Sequence, residues 1–352
     1  MDRRITRSMG ENNWSIHGHE TAVGLLQKAA SPEVGPRHAY LFLGPRHVGK
    51  RTLAQTFARA LLCANNGTAS AVPCGACRPC KLMDSGNYPD IQQIQPLDKD
   101  GKVDLDNGQL RAHQATQIIQ DAALSPLNGL YKIFVIQEIQ SANPTFANKL
   151  LKTLEEPPGH VILCLTASDK ESLLPTIVSR CQLLELRALS PETIESALTE
   201  RWKVDASKAK LLAQLANGRL GWAVQQLSDK NALEKREADL QLLQNLTASG
   251  RVERLAFAAD LANKRNNNQI FTMLELWLLW WRDVLLAQSG MIEFCCNVDK
   301  QQKILGYAQA IPQQVVQQYI HTLRQVETYL RHTTNLRLAL DVILLQLPRI
   351  PT

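Results

Sequence analysis

The 352-residue sequence lacks the long hydrophobic runs of a membrane protein. Its most apolar stretch, MLELWLLWW at 273–281, contains Glu275 and is followed directly by Arg282. Because a membrane-spanning helix needs roughly 20 apolar residues, we interpret this stretch as a buried helix. The N-terminal segment also lacks the apolar core of a secretory signal. We therefore expect a cytoplasmic protein that makes no membrane contact.

A strong charge of either sign is missing as well. The chain carries 39 basic and 33 acidic residues, which give a formal net charge of +6. Such a mild bias permits contact with nucleic acid or acidic partners but argues for neither. The hydrophobic content of 45% is ordinary for a globular protein, and the length gives room for two or three domains.

Three short apolar runs in the N-terminal half predict buried β-strands. Helical patterns follow the first and second of these runs. Strands that alternate with helices predict a largely parallel sheet with helices on both faces. The predicted strands lie at 39–44, 131–136 and 160–166, and the predicted helices at 52–63 and 143–156.

From about residue 188 onward only helical periodicity remains. Ser190, Pro191 and Glu192 form the expected start of a helix, with a capping hydroxyl, a first-turn proline and an early acid. The periodicity breaks at 216–221, 247–250 and 310–314. We therefore predict an α/β domain at 1–187, a small helical domain at 188–249 and a larger helical domain at 250–352.

A phosphate-binding loop follows the first predicted strand. Residues 44–50, GPRHVGK, fit the pattern GxxxxGK, in which glycines turn backbone N–H groups toward phosphates and the lysine bridges them. The pattern then requires a Ser or Thr that binds Mg²⁺, but Arg51 occupies this position. Thr52 comes one residue later, about 100° further around the helix. The candidate nucleotide-binding residues of this loop are Gly44, Gly49, Lys50 and Thr52.

The second predicted strand ends in Gln137 and Glu138, where a phosphate-loop ATPase usually carries Asp-Glu. Glu138 is a further candidate for the nucleotide site, whereas the Gln137 amide brings no negative charge to Mg²⁺. Positions 51 and 137 would both hold the metal, and both have changed. This combination favours a nucleotide site that no longer hydrolyses ATP. A simple glycine turn between strand and helix is the alternative for the loop, and nucleotide binding stays open.

Four of the eight cysteines form a compact pattern. Cys74, Cys77 and Cys80 have CxxCxxC spacing, and Cys63 ends the preceding predicted helix. In a cytosolic-looking chain this spacing points to a metal rather than to disulfides. Four thiolates make a closed tetrahedral Zn²⁺ site with a structural role. Four unrelated thiols and an iron–sulfur cluster are the alternatives.

Several segments together make a specific combination with this cysteine module at 63–80. They are HAYLFLGPRHVGK (38–50), YKIFVIQEIQSANPTFANKLLKTLEEPP (131–158), LLPTIVSRCQ (173–182), WWRDVLL (280–286) and NLRLALDVILLQLP (335–348). Across nearly the whole chain they resemble the clamp-loader branch of the AAA+ ATPases. The resemblance implies an α/β AAA+ domain with a phosphate loop and a parallel sheet. A small helical lid and an all-α C-terminal collar that mediates oligomerisation would follow.

The resemblance also implies roles for particular residues. Arg180 lies in a Ser-Arg-Cys motif, whose arginine in this family reaches into the ATP site of a neighbouring subunit, as an arginine finger in trans. Thr166 lies on the first sensor strand, where its hydroxyl faces a phosphate or caps the strand. The family's sensor arginine is replaced here by Gly221, which is a third departure at the same nucleotide site. An exposed arginine at a strand end is the alternative for Arg180.

We therefore expect a clamp-loader subunit that supports ATP-dependent loading of a sliding clamp onto primed DNA during replication. Its implied partners are gamma/tau-like and delta-like subunits in a hetero-pentamer, together with the sliding clamp and primer–template DNA. The departures at the loop favour a subunit without ATPase activity of its own, so that ATP with Mg²⁺ is a doubtful cofactor. An active gamma/tau-like ATPase subunit is the alternative, and an independent DNA-binding protein is a third class.

Overall fold

The computed structural model describes residues 14–64, 72–105, 108–229, 231–264, 267–331 and 335–350. These residues form two compact units. The first unit comprises the described residues up to Ala197 together with Gly218–Gly221, and the second comprises Leu198–Asn217 and the described residues from Trp222 onward. No helix within the described ranges is both long and apolar enough to cross a membrane. The predicted division into three domains at 188 and 250 stays a prediction.

The first unit is built on a parallel β-sheet. Its strands are β1 (Ala39–Leu43), β2 (Ile91–Ile94), β3 (Lys132–Ile136), β4 (Val161–Ala167) and β5 (Gln182–Glu185). Its helices are α1 (Glu20–Ala30), α2 (Lys50–Leu62), α3 (Arg78–Asp84), α4 (Ala112–Ala122), α5 (Pro144–Glu155), α6 (Pro175–Val178) and the first part of α7 (Pro191–Trp202).

The strand order is β2-β3-β4-β1-β5, and every neighbouring pair is parallel. The register sets Leu43 of β1 beside Ala167 of β4 and Glu185 of β5. It also sets Ile136 of β3 beside Leu165 of β4. The carboxyl ends of β1, β3 and β4 therefore meet at one edge of the sheet, the carboxyl edge. The loops that follow these strands are neighbours.

Both faces of this sheet are covered, which explains why its central strands are continuously apolar. Alternate side chains of one strand point to opposite faces. Tyr40 and Phe42 of β1 pack in a core with Phe57 of α2, whereas Leu41 lies in a second core with Phe146 of α5. Two apolar cores thus fix β1 and the helix that begins at the end of its loop.

The structure confirms the three predicted strands to within one residue at each end. It adds β2 and β5, which are the two outermost strands of the sheet. Their sequences, IQQI and QLLE, are polar in part and only partly buried. A period of two is hard to recognise in four residues, so sequence reasoning missed both edge strands.

The second unit is helical, and its described residues include no strand. It contains the end of α7 and most of α9 (Leu220–Ser228) together with α8 (Ala206–Leu215), α10 (Ala232–Ala248), α11 (Arg251–Lys264), α12 (Asn267–Gln288), α13 (Gln301–Ala310), α14 (Gln313–Arg331) and α15 (Leu336–Gln346). Helices end or begin at all three predicted breaks. Trp277, Trp280 and Trp281 are fully buried in its core, which confirms that the apolar stretch is a buried helix.

A buried arginine ties helix ends together in this unit. Arg254 donates from Nε to the Leu246 carbonyl (2.8 Å) and from Nη2 to the Thr247 carbonyl (3.2 Å) at the end of α10. Its Nη1 donates to the carbonyl of Leu347, which follows α15 (2.5 Å). The last carbonyls of a helix lack partners within the helix and carry partial negative charge. Arg254 supplies donors to two such ends, and burial lowers its pKa.

Candidate nucleotide site and cysteine cluster

The phosphate loop lies between β1 and α2, as predicted. Gly44 has φ 146° and Gly49 has φ 114°, in the region of backbone space that favours glycine. A Cβ atom at Gly44 would collide with the backbone carbonyl oxygen of Leu186. The backbone conformation thus favours glycine at both positions of the motif, independent of any ligand.

The Lys50 side chain is occupied by its own loop. It is only 5% exposed, and its Nζ donates to the carbonyl oxygens of Gly44 (2.6 Å) and Pro45 (3.1 Å). The Glu138 carboxylate lies 3.9 Å away. Burial lowers the pKa of Lys50 because desolvation penalises the ammonium, and the negative charge of Glu138 partly opposes this shift. Lysine and glutamate are therefore neighbours, as the motif requires.

The two residues that follow Lys50 are both exposed. Arg51 donates from Nη2 to the side-chain oxygen of Gln93 on β2 (2.8 Å). The Thr52 backbone carbonyl accepts a hydrogen bond from the Thr56 hydroxyl within α2. Arg51 thus occupies the position of the metal-binding hydroxyl and makes a hydrogen bond with the outermost strand, β2.

A neutral pair of amides, Gln137 after β3 and Gln95 after β2, lies at the carboxyl edge of the sheet. The Gln137 side chain is 4% exposed, and its Oε1 accepts a long hydrogen bond from Gln95 Nε2 (3.4 Å). Its Nε2 has no hydrogen-bond partner among the described residues. A carboxylate in this position would face a large desolvation cost unless it bound a cation. The glutamine avoids that cost and removes a charged ligand for Mg²⁺.

Glu138 and Thr166 lie together at the same edge of the sheet. The Glu138 backbone N–H donates to Thr166 Oγ1 (3.1 Å), and its Oε2 accepts from Gln140 Nε2 (2.6 Å). Glu138 has φ 51°, a left-handed conformation that turns the chain out of β3. The Thr166 hydroxyl therefore acts as a cap for the neighbouring strand. Its contact with a phosphate stays a prediction.

Gly221 lies against the phosphate loop in the first turn of α9. Its backbone N–H donates to the His47 carbonyl (2.8 Å), and a Cβ atom at Gly221 would lie 2.7 Å from the same oxygen. At the next residue of the loop, His19 Nε2 lies 3.2 Å from the Val48 carbonyl. The glycine at the sensor position therefore has a packing role that the sequence did not reveal.

Arg180 lies at the amino edge of the sheet, which is the edge where the parallel strands begin. It precedes β5, whose first residue is beside Tyr40 at the start of β1, whereas the phosphate loop follows the end of β1. At about 3.3 Å per residue, the four residues of β5 separate the two edges by roughly 13 Å. Arg180 donates from Nη1 to the Thr176 carbonyl (2.9 Å) and its Nη2 pairs with Glu155 Oε1 (2.7 Å).

The four predicted cysteines come together. Cys63 directly follows α2 and Cys80 lies in the first turn of α3, whereas Cys74 and Cys77 come just before α3. The four Sγ atoms all lie within 4.8 Å of one another, and those of Cys63 and Cys77 are 3.9 Å apart. Tetrahedral zinc with Zn–S bonds of about 2.3 Å requires sulfur atoms about 3.8 Å apart. The donor set therefore fits a metal ion.

Backbone N–H groups point at sulfur atoms of this cluster. Cys77 N donates to Cys74 Sγ (3.4 Å) and Cys74 N donates to Cys63 Sγ (3.4 Å). Hydrogen bonds from the backbone N–H groups of Ala76 and Cys77 lower the pKa of Cys74 to about 6, because they stabilise the thiolate. Burial raises the pKa of Cys80 to about 12. The loop is thus shaped to hold at least one thiolate.

Sequence reasoning missed the residues that support these positions. Neither Gln93 nor Gln95 carries a motif, and Glu155 lies beside no predicted site residue in the sequence. The only signal for Glu155 was its place in the run LLKTLEEPP. Contacts between segments that are distant in sequence leave no periodic pattern, so Gln93 and Gln95 were not predictable.

The parallel sheet of order β2-β3-β4-β1-β5, with a phosphate loop after β1, defines a P-loop α/β protein of the AAA+ class. Two family models match the chain. The model described as DNA polymerase III, delta subunit, matches residues 18–190, and the model for the C-terminal part of the delta subunit matches residues 230–349. DNA polymerase III subunit delta' of Bacillus subtilis is 30% identical over 314 residues, which are 88% of this chain and 90% of that protein. The chain belongs to the delta-prime family of DNA polymerase III, within the clamp-loader branch of the AAA+ proteins.

Two further proteins were found to be similar to this chain. DNA polymerase III subunit tau of Escherichia coli is 26% identical over 89% of this chain, which spans only 51% of that longer protein. Among solved structures, the Bacillus subtilis DNA clamp loader delta protein aligns with 94% of this chain and 99% of its own, at 13% identity and a TM-score of 0.35.

Proposed function

We propose that this chain is a clamp-loader subunit that helps to open a sliding clamp and to load it onto primer–template DNA. It would assemble with gamma/tau-like and delta-like subunits in a hetero-pentamer in the cytoplasm, with the C-terminal helical collar at 250–352 as the main oligomerisation region. The helices at 188–249 would form the lid. Family membership supports the assembly. The positions of Arg180 and Lys50 support a subunit that assists ATP hydrolysis in a neighbour without hydrolysing ATP itself.

The observation that carries the proposal is the position of Arg180. It lies at the amino edge of the sheet, whereas the chain's own phosphate loop follows the carboxyl edge. An arginine there is remote from its own loop but available to a neighbouring subunit. We infer that Arg180 is an arginine finger in trans, which stabilises the charge on the phosphoryl group that the neighbour transfers.

The chain's own loop is proposed not to hydrolyse ATP. Its lysine bonds to carbonyl groups of the loop, Arg51 replaces the hydroxyl that binds Mg²⁺, and Gln137 replaces the acidic ligand. Without two of the ligands that hold Mg²⁺, the metal would not be fixed between the phosphates. Any nucleotide bound by Gly44, Gly49, Lys50, Thr52, Glu138 and Thr166 would serve as a static cofactor.

The test is the ATPase activity of the reconstituted complex. Arg180→Ala should lower kcat about tenfold or more, because a donor that acts in the transition state is lost. Arg187→Ala is a matched control, since Arg187 is exposed and follows the other end of the same strand. Gel filtration should show intact complexes for both variants. An unchanged kcat in Arg180→Ala would refute the finger.

The alternative function has a different signature. If the chain is an active ATPase, the purified chain alone should turn over ATP with Mg²⁺, and Lys50→Ala should abolish that activity. We expect no turnover by the chain alone. An independent DNA-binding protein would instead show steeply salt-dependent affinity for DNA in the absence of the other subunits.

We also propose that the cysteine cluster holds a structural Zn²⁺. Four thiolates leave no open coordination position, so the ion would connect α2 to α3 rather than take part in catalysis. The purified chain should contain about one zinc per molecule. Cys77→Ser should lower both the zinc content and the melting temperature, whereas Cys181→Ser should leave the zinc content unchanged. Iron in the purified chain, or no metal at all, would overturn the assignment.

A further inference from the structure

The last residue of α5 holds the side chain of Arg180. Glu155 Oε1 lies 2.7 Å from Arg180 Nη2, and the Thr176 carbonyl accepts from Nη1 at 2.9 Å. The two anchors come from different elements, α5 and α6. Because a guanidinium group is planar, one hydrogen bond and one ion pair on two of its nitrogens restrict both its position and its plane.

The two anchors leave part of the arginine available. A guanidinium group has five N–H donors, and the hydrogen bond to Thr176 uses one of them, on Nη1, while Nη2 lies against the Glu155 carboxylate. The Arg180 side chain is 33% exposed, so its unused donors border solvent. Arginine binds the oxygens of a phosphate through such a fork of parallel N–H groups. The pair with Glu155 is therefore compatible with a phosphate on the open side.

We propose that Glu155 is a positioning residue, which holds Arg180 ready for the phosphoryl group in the neighbouring subunit. This inference rests on the proposed role of Arg180 in trans. The opposite role, in which Glu155 withholds the arginine, requires a strong pair. Glu155 is about half exposed, and ion pairs at the surface are weak. Such a pair biases the rotamer of an arginine but does not compete with a polyphosphate.

The test uses the reconstituted complex and two substitutions at one position. Glu155→Ala removes the acceptor and should lower kcat for ATP hydrolysis about two- to fivefold, the population shift that a weak surface pair supplies. KM for ATP should not change, because the finger acts in the transition state. Glu155→Gln keeps an acceptor at the same place and should recover most of the activity.

Glu156→Ala is the matched control, since Glu156 is exposed and directly follows Glu155. It should leave kcat and KM at the values of the unmodified complex. The melting temperature of the isolated chain should be the same for each variant, so that a change in kcat reports positioning rather than folding.

A double substitution separates this inference from the proposed function. If Glu155 acts through Arg180, then Glu155→Ala should have no further effect in the Arg180→Ala background. An additive loss in that background would overturn the positioning role, as would an unchanged or increased kcat in Glu155→Ala alone. Should Arg180→Ala itself leave the activity unchanged, the arginine finger would fail, irrespective of Glu155.

Discussion

The two edges of the parallel sheet carry cationic side chains in opposite situations. At the carboxyl edge Lys50 is 5% exposed and bonds to Gly44 and Pro45 of its own loop. At the amino edge Arg180 is 33% exposed and is anchored by a carbonyl and a carboxylate. One cation is committed to the interior of its own subunit, and the other faces outward.

This difference shows which parts of a phosphate-loop site are needed for architecture and which for chemistry. Gly44 is required because a Cβ atom there would meet the Leu186 carbonyl, and Lys50 donates to two carbonyl groups of the loop. The hydroxyl and carboxylate that hold Mg²⁺ have no such architectural role, and here Arg51 and Gln137 take their places. Under the proposed function, which needs no ATP hydrolysis by this subunit, the metal ligands could be lost while the loop is kept.

The largest effect that would test this comparison concerns the packing of the loop. Gly221→Ala should lower the free energy of unfolding by about 1–3 kcal/mol, as overpacking does in a tight contact. The new Cβ atom would lie 2.7 Å from the His47 carbonyl oxygen, so α9 or the loop must shift. Urea unfolding of the purified chain measures the change.

Gly24→Ala is the control for this substitution. Gly24 lies within α1, and a Cβ atom there would meet no other atom within 4 Å. Alanine in a helix is more favourable than glycine by about 1 kcal/mol, so this variant should be as stable as the parent or more stable. If Gly221→Ala were also stabilising, the loop would be less tightly packed than the structure indicates.

The sequence predicted the central part of the fold because the signals there are local. The apolar strand before Gly44 and the glycine-lysine spacing identified the loop, and CxxCxxC spacing identified three of the four clustered cysteines. Cys63 lies outside this spacing, and it was assigned to the cluster from its position at the end of the preceding predicted helix. The four Sγ atoms lie together as predicted, within 4.8 Å of one another.

The arrangement of the partners was beyond the sequence. Gly221 was interpreted only as a missing arginine, whereas the structure gives it a contact with the backbone of His47. The sequence leaves two roles open for Thr166, and the structure shows that its hydroxyl accepts from the N–H of Glu138. Each of these facts joins residues that are distant along the chain. A single sequence contains no periodic signal for such contacts.

A smaller effect is expected from pH. Burial lowers the pKa of His19 below its usual 6.5, and the hydrogen bond with Val48 and the charge of Glu20 oppose this shift only in part. The folded chain therefore binds fewer protons at this site than the unfolded chain does. Stability from His19 is fully present above the unfolded pKa and is lost as the pH falls through 6.5 toward the lowered value.

His19→Gln should accordingly flatten the dependence of stability on pH. Glutamine retains a donor for the Val48 carbonyl but does not titrate. Between about pH 8 and pH 5 the melting temperature of the unmodified chain should fall further than that of the variant. Equal slopes for the two proteins would mean that the histidine beside the loop is as well solvated as in the unfolded chain.

The smallest expected effect is also the most direct test of the comparison. Lys50→Met in this subunit should change the ATPase kcat of the reconstituted complex by less than about twofold, because the lysine makes no contact that strengthens in the neighbour's transition state. Methionine fills a similar volume and has no charge to bury. A loss comparable to that of Arg180→Ala would show that both edges of the sheet serve nucleotide chemistry. Unchanged activity with a preserved complex would leave Lys50 with the architectural role that its bonds to Gly44 and Pro45 describe.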